Sequence, residues 1–164
     1  MTQDLDIATV RLERTIAASP HDVYRAWLEP NWLRRWMAPG GAEVLRVEVD
    51  ERVGGYFRIW QGDAGAHVGG FECELLELVP DVRLVFRWGF VGPERIDGPK
   101  FDSLLTITLR EAPGGATTLV LLHERLGELI AAMPYVGENV GPGWDDVLVK
   151  LAAVVEPLEA EPVN

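Results

Sequence analysis

The side chains of this sequence that could carry out acid–base chemistry are three histidines and many carboxylates, and His123 is the best candidate among them. A histidine and a carboxylate held together in a closed pocket can act as general acid and general base. The carboxylate would come from Glu72, Glu74 or Glu124. Against this, His123 ends a segment whose alternate residues are leucines, and a lone histidine on such a face is more often a hydrogen-bonded part of the core. We therefore predict no catalytic residue, and an enzyme that uses His123 with a glutamate as acid and base stays an alternative.

Signals for a metal, a cofactor or a nucleophile are missing from the sequence. No two of His21, His67, His123 and the single cysteine, Cys73, fall at metal-ligand spacing. The glycines miss the pattern of a dinucleotide-binding loop, and no serine lies in a Gly-x-Ser-x-Gly elbow. We predict that the protein has no metal site and needs no cofactor.

Aromatic side chains are the stronger signal, because the chain contains six tryptophans and five phenylalanines spread over several predicted elements. Core packing explains any one of these rings. As a set, they indicate an aromatic-lined gap with a few polar groups, which is the kind of site that small apolar ligands occupy. With His123 as the polar tip, the predicted ligand-binding residues are Trp27, Trp36, Phe57, Phe71, Trp88, Phe90, Trp144 and Leu148.

Strands must position most of these rings, because the chain alternates between apolar and polar residues over much of its length. The clearest alternation places Leu84, Phe86, Trp88 and Phe90 on one face of a single strand. Turn residues such as Gly54-Gly55 separate the alternating segments, and the short connections predict an antiparallel meander. The predicted strands are 8–16, 44–49, 56–61, 67–78, 83–90, 101–110 and 117–123.

One predicted strand, 67–78, contains a conflict of side-chain parity. Phe71 and Cys73 lie on one face, whereas Val68, Leu76 and Leu78 lie on the other. An extra residue in the strand would bring both groups to the same side, so the sequence predicts a β-bulge there.

Helices are predicted at three places. Ser19 and Pro20 are typical of an N-cap and a first helical position, and the helix they begin is expected to be broken by Pro30. A second short helix is predicted over 31–37. Apolar residues at spacings of three and four predict an amphipathic C-terminal helix over 144–156, followed by an acidic tail over 157–164.

Size and charge restrict the classes of partner. The chain of 164 residues fits a single domain over 1–164 with its core at about 8–156, and its formal net charge is −11. An acidic chain without a basic run is not expected to bind nucleic acid or an anionic membrane surface. There is no apolar run of the roughly 20 residues that span a bilayer, and no signal peptide is recognisable, so we expect a cytoplasmic protein. A homodimer stays open, because an aromatic residue such as Trp32 could meet a second copy.

Several motifs, taken in order, resemble the bacterial stand-alone homologues of the heat-shock-protein-90 ATPase activator. They include Val10–Pro20, Trp36–Pro39, Val53–Gly55, His123-Glu124 and Gly143-Trp144, and the resemblance covers roughly residues 8–155. These homologues belong to the START-like superfamily (SRPBCC), which also contains polyketide cyclases. The resemblance implies an α+β helix-grip fold, in which an antiparallel sheet of six to seven strands and two short helices close around a long C-terminal helix and a hydrophobic cavity.

The resemblance leaves three functions open. Binding of a small hydrophobic or amphipathic molecule between the sheet and the C-terminal helix is the first expectation. An enzyme of polyketide cyclase or hydrolase-like type that uses His123 with a glutamate as acid and base is the second. A protein-interaction module of the co-chaperone type is the third, and it is the weakest expectation because the eukaryotic activator engages its chaperone through an additional N-terminal domain for which this chain has no length.

Overall fold

Seven antiparallel strands form one sheet in a computed structural model that describes residues 9–64, 66–95, 98 and 100–157. The strands are β1 (Val10–Ile16), β2 (Glu43–Val49), β3 (Tyr56–Asp63), β4 (Ala66–Val79), β5 (Arg83–Val91), β6 (Lys100–Ala112) and β7 (Ala116–Glu124). Their order across the sheet is β1-β7-β6-β5-β4-β3-β2, a meander in which β1 pairs beside β7. The predicted antiparallel meander is confirmed. The expected acidic tail from residue 158 onward and the first predicted strand residue, Ala8, lie outside the described residues.

Five helices cover one face of this sheet, which we call the inner face. They are α1 (Pro20–Ala26), α2 (Pro30–Leu33), α3 (Gly127–Ala132), α4 (Pro134–Glu138) and α5 (Val140–Val155). None of the helices in the described part of the chain is long and apolar enough to cross a membrane.

The beginning of α1 follows the sequence prediction. The Ser19 hydroxyl caps the helix by accepting a hydrogen bond from the Asp22 amide at 3.1 Å, and Pro20 is the first helical residue. The predicted break at Pro30 is confirmed. The Glu29 amide still donates to the Arg25 carbonyl oxygen at 2.9 Å, and Pro30, which has no N–H group, ends this series and is the first residue of α2. The helix α2 is also shorter than the predicted 31–37, since it ends at Leu33.

The predicted bulge in β4 is confirmed. The register of β4 against β5 shifts between Leu75 and Glu77. Before the shift Cys73 and Leu75 are buried on the inner face, and after it Leu78 packs against the same core. The bulge therefore brings Leu78 back to the inner face, whereas Leu76, at the bulge itself, is left 39% exposed.

The helix α5 begins at Val140 and not at Trp144, so the predicted start was four residues too late. Gly141, Pro142 and Gly143 form its first turn. Because the first four N–H groups of a helix have no partner within the helix, Pro142 costs no hydrogen bond there. The inner side of α5 is buried, and the buried residues from Trp144 onward recur at spacings of three and four as predicted.

Candidate functional site

A cavity of about 530 Å³ lies between the inner face of the sheet and the helices α3, α4 and the first half of α5. Its lining is largely apolar. The strand side is formed by Phe71, Trp88, Phe90 and Phe101, and the helix side by Leu129, Val136, Val140, Trp144 and Val147.

The rim of the cavity carries exposed apolar side chains. Val68, Met133 and Tyr135 line the opening, and Tyr135 is 79% exposed. Large apolar side chains in water are unfavourable unless they meet another apolar surface. The rim is therefore suited to the entry of an apolar molecule.

The structure brings together four of the ligand-binding residues predicted from sequence. Phe71, Trp88, Phe90 and Trp144 line the cavity. Their rings contact one another, with centroid distances of 4.7 Å between Phe71 and Trp88 and 5.4 Å between Trp88 and Trp144.

The other predicted residues are buried outside the cavity lining. Trp27 and Trp36 pack edge to face at 4.7 Å between their ring centroids, and Phe57 and Leu148 belong to the same core. His123 is fully buried and contacts Trp144 at 5.9 Å between ring centroids. These side chains support the walls of the cavity and do not form them.

His123 is the centre of a buried hydrogen-bond chain. The Trp144 Nε1–H donates to His123 Nδ1 at 2.9 Å, so the imidazole proton must lie on Nε2. His123 Nε2 then donates to the Ser103 hydroxyl oxygen at 2.7 Å, and that hydroxyl donates to the Trp88 carbonyl oxygen at 2.8 Å. Burial lowers the pKa of His123 to about 3, so the ring is neutral. Both ring nitrogens are engaged, and the imidazole orients Trp144.

The structure does not bring a candidate glutamate to His123. Glu72 lies on the opposite, outer face of the sheet, where it accepts a hydrogen bond from Arg58 at 2.6 Å. Glu74 lies 3.6 Å from Arg87 on that face, and Glu124 pairs there with Leu104. A general acid–base pair between His123 and these carboxylates would have to form across the sheet.

Two buried indole N–H groups in the described part of the chain have no hydrogen-bond partner. They are those of Trp27 and Trp88. Unpaired buried donors are rare and cost about 1–3 kcal/mol each. Of the two residues, Trp88 lines the cavity.

One rim segment is held by Arg95, which follows β5. Its side chain is only 9% exposed, and its guanidinium donates to the Ile59 carbonyl oxygen at 2.8 Å and to the Phe71 carbonyl oxygen at 2.5 Å. It also lies 4.2 Å from the centroid of the Trp60 ring. The preceding residues of this segment, Val91 to Glu94, line the cavity.

Gly70 makes this arrangement of Arg95 feasible. Its φ is 152°, and a Cβ atom there would lie 2.0 Å from the Ile59 carbonyl oxygen and 3.0 Å from Arg95 Nη1. A side chain at this position would push the guanidinium away from the strand. The glycine therefore serves the close approach of Arg95.

The opposite rim segment, 38–40, is held by α5. The Lys150 ammonium donates to the Ala38 and Gly40 carbonyl oxygens at 2.6 and 2.7 Å. The Gly40 amide donates to the Asp146 carboxylate at 2.5 Å. Both rim segments are thus fastened by charged side chains that bind backbone groups.

Sequence reasoning missed the segment 127–138, which supplies α3 and α4. The signal was present, because Leu126, Leu129, Ile130 and Met133 recur at helical spacing before Pro134. Ser103 was missed as well. It is the one hydroxyl on a strand face that is otherwise apolar. A hydroxyl in that setting indicates a buried hydrogen-bond partner, and His123 on the neighbouring predicted strand was a candidate.

Among the described residues, no group of three or more His, Cys, Asp or Glu side chains is close enough to hold a metal ion. The free thiol of Cys73 is buried, and burial raises its pKa well above the ordinary value. A thiol in this state is a weak nucleophile.

Comparison with solved structures gives close matches to the whole fold. A protein from Chromobacterium violaceum, CV1439, is 36% identical, with a TM-score of 0.77 over 92% of this chain and 99% of the other. A protein from Arthrobacter aurescens shares the fold at 19% identity, with a TM-score of 0.77 over 98% and 95% of the two chains. DynU16, a protein of the dynemicin biosynthetic locus, is 25% identical, with a TM-score of 0.63 over 91% of this chain and 47% of its own.

Comparison with sequences is more restricted. No curated protein sequence matches this chain significantly. The family model described as activator of Hsp90 ATPase homolog 1-like protein matches residues 17–156, which include the helices α1–α5 and the strands β2–β7. Since that match extends over most of the chain and the fold is the helix-grip fold expected of the family, the protein belongs to the family of activator of Hsp90 ATPase homolog 1-like proteins.

Proposed function

We propose that the protein binds a small hydrophobic or amphipathic molecule in the cavity between the sheet and the helix side. The observation that carries this proposal is the cavity of about 530 Å³ with its apolar lining and its exposed apolar rim. Ligand sites in proteins commonly measure about 300–1,000 Å³ and combine apolar walls with a few polar groups.

The experiment is a fluorescence titration with N-phenyl-1-naphthylamine, an uncharged apolar probe. Gly143 lines the cavity, and a Cβ atom there would meet no heavy atom within 4 Å, so Gly143→Leu can place its side chain in the open space. We expect the wild-type protein to bind the probe, and the variant to bind it at least tenfold more weakly. Thermal unfolding should show that the variant is folded.

The matched control is Gly127→Leu. Gly127 begins α3, its Cβ position also has open space, and it is not part of the cavity lining. This variant should bind the probe as the wild-type protein does. Undiminished binding by a folded Gly143→Leu variant would show that the probe binds elsewhere and would contradict the proposal.

The second candidate is an enzyme of the polyketide cyclase type. The observation that favours it is the likeness to DynU16, a protein from a biosynthetic locus. If His123 took part in such a reaction, one of its hydrogen bonds to Trp144 or Ser103 would have to break. Full turnover of a cyclisation substrate by His123→Gln would exclude the histidine from the chemistry and leave only substrate positioning to the cavity.

A further inference from the structure

Resting on the proposed function, we infer that the cavity takes uncharged or cationic amphiphiles and excludes anions. The charge of the lining carries this inference. Among the described residues that line the cavity, Glu94 is the only one with a formal charge at neutral pH, and it is exposed at the rim. An anionic head group would therefore meet a carboxylate and no cation at the opening.

The cations adjacent to the rim are turned away from the cavity. Arg95 follows Glu94 directly in the chain, yet its guanidinium lies on the outer face, where it donates to the Ile59 and Phe71 carbonyl oxygens. Lys150 lies near the other rim segment, and its ammonium donates to the Ala38 and Gly40 carbonyl oxygens. Neither positive charge is free to pair with a ligand.

The interior of the cavity stabilises an anion even less than the rim does. A carboxylate that leaves water needs a cation or several hydrogen-bond donors, and otherwise the penalty is several kcal/mol. The side-chain amides of the lining residues Gln61 and Asn139 already donate to carbonyl oxygens, at 3.0 and 2.7 Å. The Trp88 indole N–H is unpaired, but it is one neutral donor on a fully buried nitrogen and cannot replace the several donors that a carboxylate needs.

The charge of the whole protein acts in the same direction. A formal net charge of −11 lowers the local concentration of anions and raises that of cations at an opening of the surface. This long-range effect is weakened by salt, whereas the cost of burying an anion in the cavity is not. Measurements at low and high salt can therefore separate the two contributions.

The test uses two probes with the same ring system. N-phenyl-1-naphthylamine is uncharged, and 8-anilinonaphthalene-1-sulfonate carries one sulfonate on the same scaffold. We expect the uncharged probe to bind at least tenfold more tightly at physiological salt. Three competitors with the same chain length are then added below their solubility limit or micelle concentration: dodecanol, dodecyltrimethylammonium and dodecanoate. Dodecanoate should be the weakest competitor of the uncharged probe.

Variants of Glu94 sharpen the test. Glu94→Lys should reduce the preference for the uncharged probe severalfold. The control is Glu111→Lys, which makes the same change of net charge at the exposed far end of β6, ten residues along the strand from Phe101 and hence about 33 Å away. This control should leave the preference nearly unchanged at high salt.

Failure of the inference and failure of the proposed function can be distinguished. If neither probe binds, the cavity is not a ligand site and the proposed function is wrong. If both probes bind equally, or if dodecanoate competes as well as dodecanol, the cavity binds ligands but the exclusion of anions is wrong. Equal effects of Glu94→Lys and Glu111→Lys at high salt would remove Glu94 from the explanation.

Discussion

The inner face of the sheet has two halves that are equally rich in aromatic residues but differ in how they are covered. In the packed half, Phe57 and Phe86 of the sheet are fully buried beneath the segment that contains α1 and α2, which contributes the equally buried rings of Trp27 and Trp36. In the open half, Phe71 and Phe90 contact each other at 5.6 Å between ring centroids, yet they face the cavity beneath α3 and α4. Aromatic composition alone therefore does not make a cavity. The helices that cover each half decide whether the space between the rings is filled.

Trp144 separates the two halves. Its ring centroid lies 5.9 Å from that of Trp27 on the packed side and 5.4 Å from that of Trp88 on the cavity side. The hydrogen bond to His123 holds the indole at this boundary. A buried polar network thus positions a wall of an apolar site, and such networks are stable only when each group is paired.

The largest difference between the halves should appear when one ring is removed from each. Trp27→Ala leaves a large hole in the packed half and should lower the free energy of unfolding by about 3–5 kcal/mol. Phe90→Ala should cost less than half as much, because Phe90 is only partly buried and already borders open space. Urea denaturation measures both values, and similar costs for the two variants would contradict the distinction.

A smaller effect is expected when the rim of the open half is released. Arg95→Met removes two charge-assisted hydrogen bonds to buried carbonyl oxygens and should cost about 2–3 kcal/mol of stability. It should also speed the release of N-phenyl-1-naphthylamine in stopped-flow measurements, because Glu94 and its neighbours would lose their attachment to β3 and β4.

The control for this prediction is Arg87→Met. Arg87 binds Asp102 at 2.7 Å, but it lies on the outer face with its side chain 32% exposed. Such an ion pair should contribute less than about 1 kcal/mol. A loss for Arg95→Met no greater than that for Arg87→Met would show that Arg95 does not fasten the rim.

The smallest effect is a pH dependence of the free energy of unfolding, and it comes from His123, which holds Trp144 at the boundary between the two halves. The pKa of His123 is lowered from 6.5 to about 3 in the folded protein, so below pH 6.5 the unfolded chain binds a proton that the folded protein does not. Stability linked to His123 is therefore complete above pH 6.5 and is lost as the pH falls toward 3. Between pH 7 and pH 5 this loss should amount to about 2 kcal/mol.

The variant His123→Gln provides the comparison for this pH dependence. Glutamine can accept from Trp144 and donate to Ser103, but it does not titrate. The difference in stability between wild type and variant, measured by urea denaturation, should therefore decrease by about 2 kcal/mol from pH 7 to pH 5. A difference that stays constant over this range would mean that His123 is not held neutral in the folded protein.

The sequence by itself determined the strands, the capped helix α1 and the bulge of β4, because these depend on the alternation and local chemistry of neighbouring residues. All seven predicted strands are present, and the parity conflict around Leu76 located the register shift. The sequence also placed Trp88 and Trp144 between the sheet and the C-terminal helix, since both lie on clearly apolar faces.

Only the tertiary structure decided which aromatic rings line the cavity and which fill the core. Trp27 and Phe90 have the same character in the sequence, and their different environments arise because α1 and α2 cover one half of the sheet while α3 and α4 cover the other. The partners of His123 and Arg95 come from strands and from the helix α5, 20 to 36 residues away along the chain. Such contacts depend on how distant elements pack against one another, which no local pattern of residue types encodes.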